Sequence, residues 1–211
     1  MGERDPRTPA QAWQEMVRGN ERFVSGTPRH PRQDVDRREE LLGDQHPHAA
    51  LFGCSDSRLA AEIIFDKGLG DLFVVRNAGQ VISDSVVGTL EYAVAILKVP
   101  LIVVLGHDEC GAVRAAIDSQ EPRPPMLPPH IHSLIEKITP AVMRVRRSLD
   151  SGVRPDATEV GREHLRDTVR ELLESSELIS DAIAAGTLAI VGANYRLLEG
   201  TAVPDIVVGT V

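Results

Sequence analysis

The sequence is poor in aromatic residues and in cysteine, and it contains no long apolar run. Aromatic residues make up 3% of the 211 residues, so Leu, Val, Ile and Ala must fill the hydrophobic core. Two cysteines, Cys54 and Cys110, are too few for a disulfide framework, which leaves metal binding, catalysis or simple burial as their roles. The longest apolar runs have the length of strands, so the sequence predicts no membrane-spanning helix.

An excess of positive charge is also absent. The formal net charge is −8, which argues against binding to the phosphate backbone of a nucleic acid. The first ten residues, MGERDPRTPA, lack the apolar stretch that a secretory signal needs. We therefore expect a cytoplasmic protein with neither a nucleic acid nor a membrane as its partner.

Four short segments are nearly continuous in Val, Leu and Ile, as is typical of strands buried on both faces of a parallel sheet. They are residues 49–53, 72–75, 101–105 and 188–191. Helical patterns separate them, over residues 59–66, 84–97, 111–119, 130–148 and 159–185. This alternation predicts an α/β fold with a central, mostly parallel β-sheet flanked by helices. Residues 206–211 could add an edge strand.

The N-terminal segment has a different pattern. Residues 10–25 carry an apolar stripe at helical spacing, formed by Ala12, Trp13, Met16, Val17 and Phe23. A short helix could follow at 36–44. Because this segment is short and apolar on one side only, we expect a docked arm rather than a separate domain. The sequence thus predicts a single domain over 1–211, with an N-terminal helical arm at 1–44 and an α/β core at 45–211.

Both cysteines and one histidine follow predicted buried strands. Cys54 follows AALFG, His107 follows LIVVLG, and Cys110 comes three residues after His107, where the chain turns into a helix. In open parallel sheets ligands bind beyond the carboxyl ends of strands, so these two ends can lie side by side. Zinc accepts two thiolates and an imidazole, and three protein ligands leave a fourth position for water. The pattern favours a catalytic zinc site, although buried cysteines can also be inert.

Asp56 and Arg58 follow Cys54 at alternate positions. If the chain stays extended, the three side chains point to one side. A bidentate pair with Arg58 would fix the direction of Asp56 and keep it ionised. Asp56 could then accept a hydrogen bond from a zinc-bound hydroxide, or it could bind the zinc itself as a fourth ligand in a closed state. Without a metal, the two residues would form a plain ion pair.

Four motifs together resemble the β-class carbonic anhydrases. They are CSDSR (54–58), FVVRNAG (73–79), EYA (91–93) and GHDECGA (106–112), and the resemblance extends from about residue 12 to residue 200. It implies Zn²⁺ bound by Cys54, His107 and Cys110, with Asp56 and Arg58 as a catalytic dyad. The implied reaction is the reversible hydration of carbon dioxide to bicarbonate and a proton by attack of zinc-bound hydroxide.

The resemblance also implies a substrate pocket and an assembly. Gln45 would hydrogen-bond the substrate, while Phe73, Ala78 and Tyr92 would line a small apolar pocket. Gln45 could instead be a solvated loop residue, and Phe73 and Tyr92 could be core residues. Because the family forms dimers that often pair into tetramers, we expect a homodimer or homotetramer whose N-terminal helices embrace the partner.

One position departs from the family pattern. Some members have a regulatory bicarbonate site that needs a Trp three residues before the first cysteine, and this sequence has Leu51 there, although Arg76 and Tyr195 match other positions of that site. Two other functions remain open. The same scaffold could hydrolyse carbon disulfide or carbonyl sulfide, or the protein could be a non-catalytic sensor that responds to zinc or bicarbonate.

Overall fold

The four apolar segments of the sequence form the parallel strands of one sheet. The computed structural model describes residues 7–150 and 152–211. Residues 1–6 lie outside the described residues. They belong to the predicted arm and to the N-terminal stretch that is expected to lack a secretory signal. The strands are β1 (Ala49–Cys54), β2 (Leu72–Asn77), β3 (Leu101–His107), β4 (Ala189–Tyr195) and β5 (Ala202–Val208). Their order in the sheet is β2-β1-β3-β4-β5. Every residue of β1 and β3 is buried, which explains why these segments are apolar throughout.

The fifth strand lies earlier in the chain than the predicted edge strand at 206–211. It pairs with β4 in the antiparallel direction. The chain reverses directly after β4, since the amide of Arg196 donates to the carbonyl of Thr201 and Gly200 adopts a φ of +71° in the turn. Such a tight reversal leaves no room for a helix, so the strand begins at Ala202.

Nine helices are present in the part of the chain that the structure describes. They are α1 (Pro9–Val24), α2 (Val35–Glu40), α3 (Ala61–Ile64), α4 (Asp84–Ala95), α5 (Gly111–Asp118), α6 (Pro129–Glu136), α7 (Thr139–Arg147), α8 (Ala157–Ser175) and α9 (Glu177–Ala184). The predicted α/β class with helices around a mostly parallel sheet is therefore confirmed. None of the helices among the described residues combines the length and the apolar character needed to cross a membrane.

The sequence predicted one long helix at 130–148 and another at 159–185, and both predictions are wrong. Each of these segments forms two separate helices. Pro140 stands in the first turn of α7, where it lacks an amide hydrogen and its ring clashes with the carbonyl four residues earlier, so α6 ends before it. Ser176 adopts extended dihedral angles between α8 and α9, and its hydroxyl accepts a hydrogen bond from the amide of Ile179. A proline and a capping serine thus divide segments whose apolar periodicity continues.

Helices cover both faces of the sheet and enclose three apolar clusters. One face packs against α4, α8 and α9, through side chains such as Leu90 and Leu165. The other face packs against α1 and α3, where Met16 and Phe65 are fully buried. A third cluster lies under α5, α6 and α7, and it contains both cysteines. The sheet thereby presents the carboxyl ends of β1 and β3 beside this third cluster.

Candidate metal centre

The three predicted metal ligands meet at the carboxyl ends of β1 and β3. Cys54 is the last residue of β1, His107 is the last residue of β3, and Cys110 is the N-cap of α5. Because β1 and β3 are parallel neighbours, their carboxyl ends lie at the same edge of the sheet. The donor atoms of the three side chains lie within 4.8 Å of one another, and all three residues are buried. The two cysteines do not form a disulfide.

The imidazole of His107 is oriented for metal binding. Its Nδ1 lies 2.7 Å from the carbonyl oxygen of Asp108, and since a carbonyl oxygen only accepts, Nδ1 carries the proton. The other nitrogen, Nε2, is buried and has no hydrogen-bond partner among the described residues. An unpaired buried acceptor is costly, and a metal ion would remove that cost.

The two thiols conflict electrostatically without a metal. The hydrogen bond from Cys110 lowers the pKa of Cys54 far below its usual range, against the opposing effect of burial. The same partnership, together with burial and the charge on Cys54, raises the pKa of Cys110. The two sulfurs therefore share one proton. A divalent cation that accepts soft ligands stabilises both thiolates at once, so these residues fit a zinc ion.

The segment after Cys54 forms a turn, so the extended chain that was the condition for the three side chains to point to one side is not present. The amide of Leu59 donates to the carbonyl oxygen of Asp56 at 3.0 Å, and the amide of Arg58 donates to Oδ1 of Asp56 at 2.9 Å. Asp side chains favour such local bonds to backbone amides two residues ahead, which competes with an extended strand. The turn nevertheless brings Asp56 and Arg58 together.

The pair of Asp56 and Arg58 is bidentate. Nε of Arg58 lies 2.9 Å from Oδ1, and one terminal nitrogen lies 2.6 Å from Oδ2. Hydrogen bonds from Arg58 hold the pKa of Asp56 well below its usual range, although partial burial opposes this shift. Asp56 is therefore ionised at neutral pH, and Arg58 binds both of its oxygens.

Arg76 holds the backbone of this turn, a role that the sequence did not reveal. Its guanidinium donates to the carbonyl oxygens of Cys54 at 2.9 Å and of Asp56 at 2.6 Å.

Leu51, which stands where the regulatory bicarbonate site of some family members needs a Trp, is buried in the apolar cluster beneath α1. Arg76 and Tyr195 lie at the ends of β2 and β4, which are not neighbours in the sheet.

Only one of the four predicted pocket residues lies next to the Cys–His–Cys cluster. Ala78 directly precedes Gly79, whose amide donates to Sγ of Cys54 at 3.4 Å. Gln45 is exposed and precedes β1, so the six residues of the strand, at about 3.3 Å each, separate it from Cys54. Phe73 and Tyr92 stack on each other with ring centroids 6.1 Å apart.

Phe73 lies near the start of β2, where it pairs with Ala50 of β1 rather than with Cys54. Within one chain, Gln45, Phe73 and Tyr92 thus do not reach the three donor atoms. Their predicted contact with substrate would have to arise in an assembly of chains.

Comparison with known proteins agrees with this geometry. A family model described as carbonic anhydrase matches residues 49–202. The chain is 51% identical over 196 residues to carbonic anhydrase 2 of Mycobacterium tuberculosis, covering 92% of each chain. It is 48% identical over 193 residues to a carbonic anhydrase of Mycolicibacterium smegmatis, covering 91% of each chain.

Solved structures show the same fold. The β-carbonic anhydrase CcaA is similar with a TM-score of 0.67 at 26% identity, over 91% of this chain and 94% of that one. The Coccomyxa β-carbonic anhydrase in complex with acetazolamide has a TM-score of 0.68 at 26% identity, over 81% of this chain and 78% of that one. With its sequence, fold and Cys–His–Cys site in agreement, this chain belongs to the β-class carbonic anhydrase family.

Proposed function

We propose that the protein catalyses the reversible hydration of carbon dioxide to bicarbonate and a proton, with zinc held by Cys54, His107 and Cys110. The observation that carries this proposal is the convergence of three buried donor atoms, one of them an unpaired imidazole nitrogen, beside an ionised carboxylate. Membership of the carbonic anhydrase family supports the choice of substrate.

Each residue of the site has a distinct task in this proposal. Zinc bound by the three side chains would supply the Lewis acidity that makes water a nucleophile near neutral pH. Asp56 is ionised, so it can only accept hydrogen bonds, and it would orient the attacking water by accepting its proton in a hydrogen bond. Arg58 holds both oxygens of Asp56 and thereby fixes the direction of that bond.

The bidentate pair favours an arrangement in which Asp56 leaves the fourth metal position open. A closed state with Asp56 as fourth ligand would require the bonds to Arg58 to break. Crystals of the zinc-loaded protein grown under acidic and alkaline conditions test this. The same Asp56–Arg58 pair in both would support the open arrangement, and a carboxylate on zinc in either would support the closed one.

We also propose that the working unit is a homodimer or homotetramer, in which Gln45, Phe73 and Tyr92 contribute to the substrate pocket across a subunit boundary. Two observations support this. The three residues lie away from the donor atoms within one chain, and β2 is an edge strand on whose Phe73 the exposed side chain of Tyr92 stacks. Sedimentation analysis would contradict the proposal if the active species were a monomer.

Stopped-flow assays of carbon dioxide hydration test the function. The zinc-loaded wild type is expected to be active, and Asp56→Asn is expected to lose most activity while retaining its zinc, because the neutral amide does not replace the carboxylate acceptor. A zinc-replete wild type without activity from about pH 6 to about pH 9 would refute the proposal. Carbonyl sulfide and carbon disulfide, assayed on the same preparation, separate hydration from hydrolysis of these sulfur compounds.

A further inference from the structure

We propose that His164 of α8 is a positioning residue for the metal ligand Cys54 and acts on it through the backbone of Gly79. The inference rests on the proposed function only in taking Cys54 as a zinc ligand. His164 belongs to none of the four sequence motifs and lies far from Cys54 along the chain. Its proposed role follows from a chain of hydrogen bonds that ends at the sulfur.

The first link joins Gly79 to Cys54. The amide of Gly79 donates to Sγ of Cys54 at 3.4 Å in a buried contact. A donor aimed at a thiolate withdraws negative charge from the sulfur and fixes the direction of its lone pairs toward the metal. Because the metal ligand is a sulfur that must also face Cys110 and His107, the direction of this bond matters for all three donors.

Only a glycine fits at this position. Gly79 has a φ of +77°, and a Cβ there would lie 2.9 Å from Cβ of Ala112 and 3.0 Å from Cδ1 of Ile138. The side-chain-free residue lets the backbone approach the metal site. Because glycine has no side chain that could anchor it, other residues must hold the backbone of Gly79 in place.

The second link joins His164 to Gly79. Nε2 of His164 lies 2.7 Å from the carbonyl oxygen of Gly79, so Nε2 carries the proton and donates it. His164 is 3% exposed, and burial lowers its pKa, so the ring is neutral. Its Nδ1 is buried without a hydrogen-bond partner among the described residues. The ring thus keeps one nitrogen unpaired while the other binds Gly79.

Neighbouring residues hold the same loop and make the support rigid. Thr168, one turn later in α8, places its hydroxyl 3.3 Å from the carbonyl oxygen of Gln80 and 2.9 Å from that of His164. On the other side, the amide group of Asn77 bonds both the amide and the carbonyl of Val81, at 2.9 Å and 2.7 Å. The loop that carries Gly79 is therefore held between the end of β2 and the long helix α8.

A histidine that only fills the core would affect stability but not the metal. The test therefore measures zinc retention, which needs no enzymatic activity. Zinc-loaded wild type, His164→Leu and His164→Gln are exposed to a chelator, and zinc release is followed with folding checked by circular dichroism. The Leu side chain cannot donate, whereas the Gln amide can. We expect zinc affinity to fall by roughly 10- to 100-fold in His164→Leu and to remain near wild type in His164→Gln.

His48→Leu is the matched control, since His48 is also a buried histidine but lies just before β1, at the opposite end of that strand from Cys54. It is expected to change zinc affinity by less than about twofold, because it contacts none of the site. Cobalt-loaded samples give a second readout, as the sulfur-to-metal absorption band should shift in His164→Leu but not in His48→Leu.

A folded His164→Leu that retains zinc like the wild type would overturn the inference, as would His164→Gln behaving like His164→Leu. Should His164→Leu not fold, NMR of the wild type loaded with a magnetic cadmium isotope decides. A scalar coupling from the Gly79 amide proton to the metal, together with a hydrogen-bonded Nε2 proton on His164, would support the positioning role of His164. The absence of either signal would overturn that role. An inactive protein with the expected zinc pattern would refute the proposed function alone.

Discussion

Asp56 has a single orientation because one neighbour holds both of its oxygens. The two bonds from Arg58 keep the carboxylate ionised and directed, while Arg76 fixes the backbone beneath it. The sequence motif was sufficient to predict that the two residues pair. It was not sufficient to predict the turn, since that depends on which backbone amides the Asp56 carboxylate reaches.

Replacing Arg58 with lysine tests whether this geometry matters beyond its charge. Lysine keeps the positive charge but is a point donor that cannot form the two parallel bonds. We expect kcat/KM for carbon dioxide hydration to fall by roughly 10- to 100-fold in Arg58→Lys, with zinc content unchanged. Arg154→Lys is the control, because Arg154 makes one exposed bond to Asp118, at 2.6 Å. A wild-type rate in Arg58→Lys would show that charge alone suffices.

At the scale of elements, apolar periodicity revealed the strands and the ligand-bearing strand ends, because a strand buried on both faces leaves a continuous apolar signal. It did not reveal where α6 ends and α7 begins, or where Ser176 separates α8 from α9. Those breaks depend on one proline and one capping hydroxyl inside segments whose apolar spacing continues. The contact of His164 with Gly79 joins an element late in the chain to a loop early in it, and a single sequence carries no signal for such a pairing.

The close packing of α1 predicts the sign of the change in stability when a glycine of this helix is replaced by alanine. A Cβ on Gly19 would lie 1.9 Å from the backbone carbonyl oxygen of Phe65, so α1 approaches the main chain at that point. Gly19→Ala is expected to destabilise the fold by about 1–3 kcal/mol through overpacking, despite the better helix propensity of alanine. A Cβ on Gly161 in α8 would lie more than 4 Å from any atom outside the neighbouring turns of that helix. Gly161→Ala is therefore expected to stabilise the fold by about 0.5–1 kcal/mol. Urea denaturation of both variants measures this, and a stabilised Gly19→Ala would contradict the close packing.

At the scale of the whole molecule, buried ionisable side chains connect neighbouring elements at the opposite end of the sheet from the Cys–His–Cys cluster. His48 lies 3.4 Å from a carboxylate oxygen of Glu15 in α1 and 3.8 Å from one of Asp71, and Lys67 also faces Glu15. These contacts join the N-terminal helix to the core. Burial lowers the pKa of His48 from 6.5 to about 4, with nearby Arg7 and Lys67 adding to the shift and the two carboxylates opposing it.

This shift predicts how stability depends on pH. Since the folded pKa of His48 is below the unfolded value of 6.5, its contribution to stability is fully present above pH 6.5 and is lost as the pH falls toward about 4. The Tm of the wild type should therefore fall over this range more steeply than that of His48→Gln, which cannot titrate there. Parallel slopes in thermal melts of the two proteins would show that His48 does not carry this dependence.

The convergence of Cys54, His107 and Cys110 on one zinc ion is the claim on which the whole account depends. X-ray absorption at the zinc edge of the purified, zinc-loaded protein tests it most directly. The account predicts two sulfur neighbours at about 2.3 Å and two nitrogen or oxygen neighbours at about 2.0–2.1 Å. A protein that retains no zinc, or a coordination shell without sulfur, would contradict it.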